Sequence, residues 1–193
     1  MVIYKLKMVL LGDSGVGKSC IIGRYVYDHF SEYMSATIGA QFCTKELFGG
    51  KFRIDIWDTA GQERFRSLIP LYIKGANIVV LVLDASQNKM EHNDQLKFWK
   101  EYINSQLSGK SHEYRKVLVY NKLDLVPNFQ FQEDSDFDYT ITADNFIEDT
   151  GFYQVQCKVD TLDYKYYTIV ETQNPDLSVD DYKRIGMIPR YTL

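Results

Sequence analysis

The stretch Gly12-Asp13-Ser14-Gly15-Val16-Gly17-Lys18-Ser19 constrains this chain more than any other. It satisfies the pattern G-x-x-x-x-G-K-[ST] at every position, and its flanks suit it. Ahead of it, Tyr4 to Leu11 reads as a strand, apolar from Met8 to Leu11. Behind it, Cys20 to Tyr27 carries Ile21, Ile22, Tyr25 and Val26 at the spacing of an amphipathic helix. Strand, glycine loop and helix form the arrangement that a phosphate requires. Glycines let backbone N–H groups turn inward, and the helix N-terminus adds partial positive charge. Lys18 can then reach the outer phosphates, and the Ser19 hydroxyl can ligate magnesium.

The remaining composition narrows the class. A chain of 193 residues is long enough to bury one proper core, and 45% hydrophobic with 25% charged content is ordinary for a globular protein. A net charge of −4 weighs against a nucleic-acid binder, which usually shows a basic face. Cys20, Cys43 and Cys157 have neither metal-like nor disulfide-like spacing, which fits reduced cytoplasmic thiols. His29, His92 and His112 are scattered and read as surface or packing residues. No apolar run is long enough to span a bilayer.

Along the chain, strands alternate with helices. Ala40 to Leu47 and Lys51 to Trp57 both alternate around Phe48-Gly49-Gly50, predicting a hairpin. Asn77 to Leu83 is a continuous apolar run suited to a strand buried on both faces. Leu96, Trp99, Ile103 and Leu107 form one helical stripe between Met90 and Leu107. Val117 to Tyr120 reads as another buried strand, and the acidic, aromatic Pro127 to Tyr139 as a loop or insertion. Thr142 to Thr150 reads as a short helix capped by Gly151, and Phe152 to Cys157 as the last strand. Leu162, Tyr166, Ile169 and Val170 suggest a final helix. The pattern implies a mostly parallel sheet covered on both faces, with ligand at the carboxyl ends of the strands.

Two further motifs end strands. In Asn121-Lys122-Leu123-Asp124, the Asp124 carboxylate can accept from the ring N–H and the exocyclic amine of guanine, a donor pair that adenine lacks. Lys122 can lie over the purine, and Asn121 can tie this loop to the glycine loop. In Asp58-Thr59-Ala60-Gly61-Gln62-Glu63, Asp58 suits an outer contact to magnesium, Gly61 a backbone N–H to a γ-phosphate, and Gln62 the orientation of attacking water. Thr37, in the irregular segment before the hairpin, can meet magnesium and the γ-phosphate when that phosphate is present. Loops held by a γ-phosphate and released on its loss make a switch.

Gly12 to Ser19, Thr37, Asp58 to Gln62 and Asn121 to Asp124 together resemble the Ras superfamily of small GTPases. Gly12 to Cys20, Thr37-Ile38-Gly39-Ala40-Gln41-Phe42 and Trp57 to Phe65 resemble its Rab branch, and Ser67 to Tyr72 leans toward the endosomal subgroup. The resemblance is dense from Tyr4 to Asp124. It implies an α/β fold, a three-layer P-loop G domain with a mostly parallel six-stranded sheet and one antiparallel edge strand. It implies GTP or GDP and Mg2+ as ligands, with Asp13, Ser14, Gly15, Val16, Gly17, Lys18, Ser19 and Cys20 around the phosphates. Phe30 would stack on guanine, and Ser19, Thr37 and Asp58 would serve the metal. Phe42, Trp57 and Tyr72 match the aromatic triad through which Rabs meet effectors, although core packing is an equal role for Trp57 and Tyr72. Exchange factors and GTPase-activating proteins are the other implied partners, with a monomer in the cytoplasm recruited to endosomal or vesicle membranes.

The chain also departs from the pattern. The family's last guanine motif, usually Ser-Ala-Lys, finds its match in Gln156-Cys157-Lys158, which assigns Cys157 and Lys158 to the nucleotide and puts affinity in question. Leu71-Tyr72-Ile73-Lys74-Gly75-Ala76 alters the effector surface. The last residues, Met187 to Leu193, hold no cysteine to accept a prenyl group, which leaves membrane association open. The expected division is a G domain over 1–174 and a tail or linker over 175–193. Two rivals stand beside a hydrolysing switch: a GTPase fold locked in one nucleotide state as a binding module, and an ATP-dependent kinase. Asn121 and Asp124 weigh against the second.

Overall fold

The strand of Ile78–Asp84 (β4) is buried at every residue and stands at the centre of the sheet. The computed structural model describes residues 4–31, 34–47, 50, 52–108, 114–126, 128–130, 134–143, 155–158 and 166–169. Within them the main sheet comprises Tyr4–Leu11 (β1), Ala40–Leu47 (β2), Phe52–Thr59 (β3), β4, Arg115–Asn121 (β5) and Tyr139–Thr142 (β6). Its order is β2-β3-β1-β4-β5-β6. Only β2, an edge strand, runs antiparallel to its neighbour; the other pairs are parallel. The expected six-stranded, mostly parallel architecture is therefore met.

Burial on both faces follows from the side-chain alternation of a strand. Leu6, Met8 and Leu10 of β1, with Val80 and Val82 of β4, pack beneath Ile21 and Ile22 of the helix Lys18–Tyr27 (α1). On the opposite face, Val9, Leu11, Val79, Leu81 and Leu83 meet Ile69 and Ile73 of Ile69–Ile73 (α2). They also meet Leu96, Trp99, Ile103 and Leu107 of Lys89–Leu107 (α3), which is the stripe expected from spacing. Asn88 caps α3, its side-chain oxygen accepting from the backbone N–H groups of Met90 and Glu91.

The C-terminal third departs from the reading of its sequence. The sixth strand is Tyr139–Thr142, inside a stretch read as a loop running into a helix, rather than Phe152 to Cys157. Asp138 starts it: its carboxylate accepts from the Lys116 backbone N–H at 2.8 Å, and its own N–H donates to the Lys116 carbonyl at 2.9 Å. Part of the acidic segment is docked, because Lys100 on α3 bridges Asp134 and Asp136, each at 2.7 Å. Val155–Lys158 (β7) is a strand as expected, but it pairs with Tyr166–Ile169 (β8) in a separate two-stranded sheet. That strand replaces the expected final helix. Tyr166, Tyr167, Thr168 and Ile169 are aromatic or β-branched, the types that suit a pleated surface, and this outweighs a helical spacing of three apolar residues. Residues 144–151 of the expected helix and the tail from 175 lie outside the described residues.

Leu81 is 0% exposed at the centre of β4. Leu81→Ala should cost about 3 kcal/mol, the transfer and cavity loss of a packed core leucine, measured by urea unfolding.

Candidate functional site

At the carboxyl ends of β1, β3, β5 and β6, the chain surrounds a cavity of about 960 Å³. The glycine loop forms one wall. Gly17 has φ of 99°, in the left-handed region, and a Cβ there would collide with the Asn121 side chain. Gly12, also at positive φ, lies so close to the Val82 carbonyl that no side chain fits. The loop can therefore curl tightly over the sheet, and Lys18 folds back beneath it. Its Nζ donates to the carbonyls of Gly12 at 2.8 Å and Asp13 at 2.7 Å, and the residue is only 5% exposed. Burial drives the Lys18 pKa down to about 8, against the opposing charges of Asp58 and Asp13.

Three oxygen-bearing side chains from three different segments converge beside it. Ser19 Oγ donates to Asp58 Oδ2 at 2.5 Å and lies 2.8 Å from Thr37 Oγ1. Thr37 also donates to Asp58 at 3.4 Å, so the irregular segment closes on the site. Burial raises the Asp58 pKa, while the Ser19 hydroxyl, the Lys18 charge and Thr37 pull it down. Asp58 Oδ1 is buried and has no partner among the described residues. Two hydroxyls and a carboxylate with a spare buried oxygen form a hard-oxygen donor set of the kind that suits magnesium.

The far end of the cavity is built by Asn121, Lys122, Asp124 and Leu125. The Asn121 carboxamide donates to the Val16 carbonyl at 2.8 Å, tying this loop to the glycine loop across 105 residues. Lys122 sits at φ of 62° and its ammonium bridges Asp84 Oδ2 at 2.7 Å. Burial works to raise the Asp84 pKa, but hydrogen bonds from Lys122 and Ser86 outweigh it and hold the group below its ordinary value. Asp124 is exposed toward the cavity and Phe30, 57% exposed, lines it from the segment after α1. Cys20, Ser14 and Gly15 line it as well.

Cys157 and Lys158, assigned to the nucleotide from the sequence, fall in β7 of the two-stranded sheet, and their side chains lie outside the described residues. Ala143, directly after β6, lines the cavity. That residue follows a strand parallel to β5. The available signal for that strand was the aromatic and β-branched run Tyr139-Thr140-Ile141-Thr142, hidden by the acidic residues before it. Arg24 and Met34 also line the cavity and were not singled out by motif.

Gly61 lines the cavity so near the glycine loop that a Cβ would collide with the Asp13 carbonyl and the Ser14 nitrogen. Gln62, next in the chain, accepts from Arg64 Nε at 2.8 Å through its carboxamide oxygen. Away from the cavity, Phe42 and Trp57 are register partners in β2 and β3, with ring centroids 5.1 Å apart, and the Tyr72 ring lies tilted 5.3 Å from that of Trp57. Phe42 is half exposed, and Trp57 and Tyr72 also pack against the core. The packing role weighed for Trp57 and Tyr72 is thus present in the geometry.

A glycine loop under a parallel sheet, a buried lysine and an Asn-Lys-x-Asp loop at the opposite end define a P-loop GTPase fold. A family model described as Ras of Complex, Roc, domain of DAPkinase matches residues 7–124. The chain therefore belongs to the Ras superfamily of small GTPases, and the relatives it matches are Rab proteins. It is 46% identical over 123 residues to Ras-related protein RABG3f of Arabidopsis thaliana, covering 62% of this chain and 59% of that protein. It is 50% identical over 101 residues to Ras-related protein Rab-31 of Rattus norvegicus, covering 51% of each. Ras-related protein Rab-18 of Lymnaea stagnalis is 43% identical over 125 residues, which is 64% of this chain and 60% of that one. The chain thus spans between half and three fifths of the length of these relatives.

The depressed Lys18 pKa has a thermodynamic consequence. Between about pH 8 and the ordinary value of 10.5, the unfolded chain holds a proton on Lys18 that the folded chain has lost. Stability from this group therefore rises with pH across that window, and the full penalty is present below it. Relative to Lys18→Met, the ligand-free protein should gain about 3 kcal/mol between pH 8 and 10.5, read by denaturant unfolding.

Proposed function

We propose that this chain binds GTP and GDP with magnesium, hydrolyses GTP slowly, and acts as a switch read by partner proteins. The observation that carries the reading is the convergence of Lys18, Ser19, Thr37 and Asp58 at one end of a cavity whose other end is Asn121-Lys122-Leu123-Asp124. The first group suits a charged phosphate tail and the second a purine with adjacent donors. A phosphate beside Lys18 would restore the cation that burial disfavours. The loop amides of Asp13 to Cys20 would share the phosphate charge, and preorganised donors of this kind stabilise charge that grows in a transition state. Asp124 would accept from guanine, the Lys122 stem would lie along the base with its ammonium held by Asp84, and Phe30 would cover it. Ala143, which lines the cavity, would offer its backbone to the guanine carbonyl, beside the part that the Rab resemblance gives to Cys157 and Lys158.

Ser19 and Thr37 would hold magnesium with Asp58 behind them, and the ion would supply neutralisation of phosphate charge when bound. Gly61 would give its N–H to the γ-phosphate and Gln62 would orient water. Thr37 and Gly61 come from the two segments that flank β2 and β3, so loss of the γ-phosphate would release both. Phe42, Trp57 and Tyr72 lie on those same strands and on α2, which would make their surface sensitive to the nucleotide. Effectors, exchange factors and activating proteins are the implied partners. A role in vesicle or endosomal traffic rests on the Rab resemblance alone. The rival reading, a GTPase fold locked in one nucleotide state as a binding module, is separated from this one by whether the chain hydrolyses GTP.

Parallel GTP and ATP titrations of the purified chain with magnesium should show a guanine preference that Asp124→Ala lowers by about 100-fold, the effect of losing a paired donor set. In single-turnover hydrolysis, Gln62→Leu should slow the reaction at least about tenfold with GTP binding unchanged, as expected for a contact made only in the transition state. Equal affinity for ATP, or hydrolysis indifferent to Gln62, would overturn the reading.

A further inference from the structure

The Asp13 side chain points away from the cavity and into a junction that nucleotide binding does not require. Its Oδ1 accepts from the indole N–H of Trp99 on α3 at 3.0 Å and lies 3.3 Å from Nη2 of Arg66. Arg66 belongs to the 3-10 segment Glu63–Leu68, directly after Gln62. Its guanidinium lies over the rings of Phe98, 4.6 Å from the centroid, and Trp99, at 5.8 Å, and its carbonyl accepts from the Tyr102 hydroxyl at 3.2 Å. The turn buries no residue of its own. Its hold on the molecule is therefore carried by polar and cation–π contacts, and Asp13 is the one carboxylate in that set. Arg66 Nε is buried without a partner among the described residues, so this grip is kept at a cost rather than by default.

We infer that Asp13 is a positioning residue: its carboxylate clamps Arg66 onto α3 and thereby fixes the turn that aims Gln62. The reading rests on the hydrolysis proposed above. Two links connect Asp13 to that aim. Its backbone packs against Gly61, which admits no Cβ, and its side chain holds Arg66, four residues beyond Gln62. With both ends of the 61–66 segment tied to one residue of the phosphate loop, the intervening Gln62 has little freedom to drift. Trp99, 1% exposed, supplies a rigid donor that keeps the carboxylate in place.

The test uses the full chain and the variants Asp13→Ala, Asp13→Asn, Arg66→Ala and the double alanine variant. Each is examined for bound guanine nucleotide, single-turnover GTP hydrolysis, the Trp99 indole N–H resonance, and amide hydrogen exchange over residues 63–68. Asp13→Ala should retain nucleotide, since the loop offers its backbone at that position, and slow hydrolysis about tenfold, a coupling typical of residues in one network. The double variant should be no slower than either single one. Asp13→Asn should preserve the indole resonance, because its carbonyl still accepts from Trp99, yet lose rate because the attraction to Arg66 is gone. Wild-type hydrolysis in nucleotide-loaded Asp13→Ala, or losses that multiply in the double variant, would overturn the inference. If Asp13→Ala does not fold, Asp13→Asn carries the same comparison. If the wild-type chain neither binds guanine nucleotide nor hydrolyses GTP, the proposed function fails by itself. The clamp is then judged by exchange alone: faster exchange over 63–68 in both single variants supports it, and unchanged exchange refutes it.

Discussion

A lysine ammonium folded beneath a loop of its own backbone is the interaction on which the site depends. Lys18 is charged only at the cost of desolvation, and two carbonyls plus the nearby Asp58 and Asp13 reduce that cost without removing it. A buried cation in this condition is predisposed toward an anion, because an anionic ligand supplies the charge that the protein withholds. The geometry that keeps Lys18 there is set by backbone that only glycine can follow at Gly12 and Gly17, and by the Asn121 side chain that closes against Gly17. The glycine-loop end of the cavity and the Asn121–Asp124 end are thus mechanically joined by the Asn121 carboxamide.

The sheet makes that junction possible. In parallel strands the carboxyl ends lie on one edge, so loops far apart in the chain meet there. Ser19 lies in the first turn of α1, Thr37 precedes β2, and Asp58 stands next to the end of β3, yet their oxygens lie within hydrogen-bonding distance. Complete burial of β4 and of the middle of β5 and the second half of β1 hold the register that brings them together. Helices on both faces then fix the loops from behind, with α3 reaching the phosphate loop directly through Trp99 and Asp13.

Legibility declined along the chain for physical reasons. From Tyr4 to Asp124 the strands are long, the stripes periodic and the motifs dense, and the elements fell where their patterns placed them. Beyond Asp124 the signals compete. Tyr139–Thr142 is a four-residue strand preceded by Asp134, Asp136 and Asp138, and its acidic approach reads as loop until Lys100 and Lys116 are seen to receive it. At Tyr166 to Ile169, strand composition and pairing with β7 outweigh the helical spacing.

By itself the sequence determined the chemistry on offer: a glycine loop with a lysine and serine, a carboxylate that can pair with guanine donors, and an acidic strand end beside a glutamine. These are local, since each motif keeps its residues within one turn or loop. Tertiary structure decided what those residues face. It set Ala143 and Asn121 on one cavity, tied Lys122 to Asp84, and turned the Asp13 side chain toward Arg66 and Trp99. Those choices depend on strand order and helix docking, which bring together positions up to 105 residues apart and which no local spacing encodes.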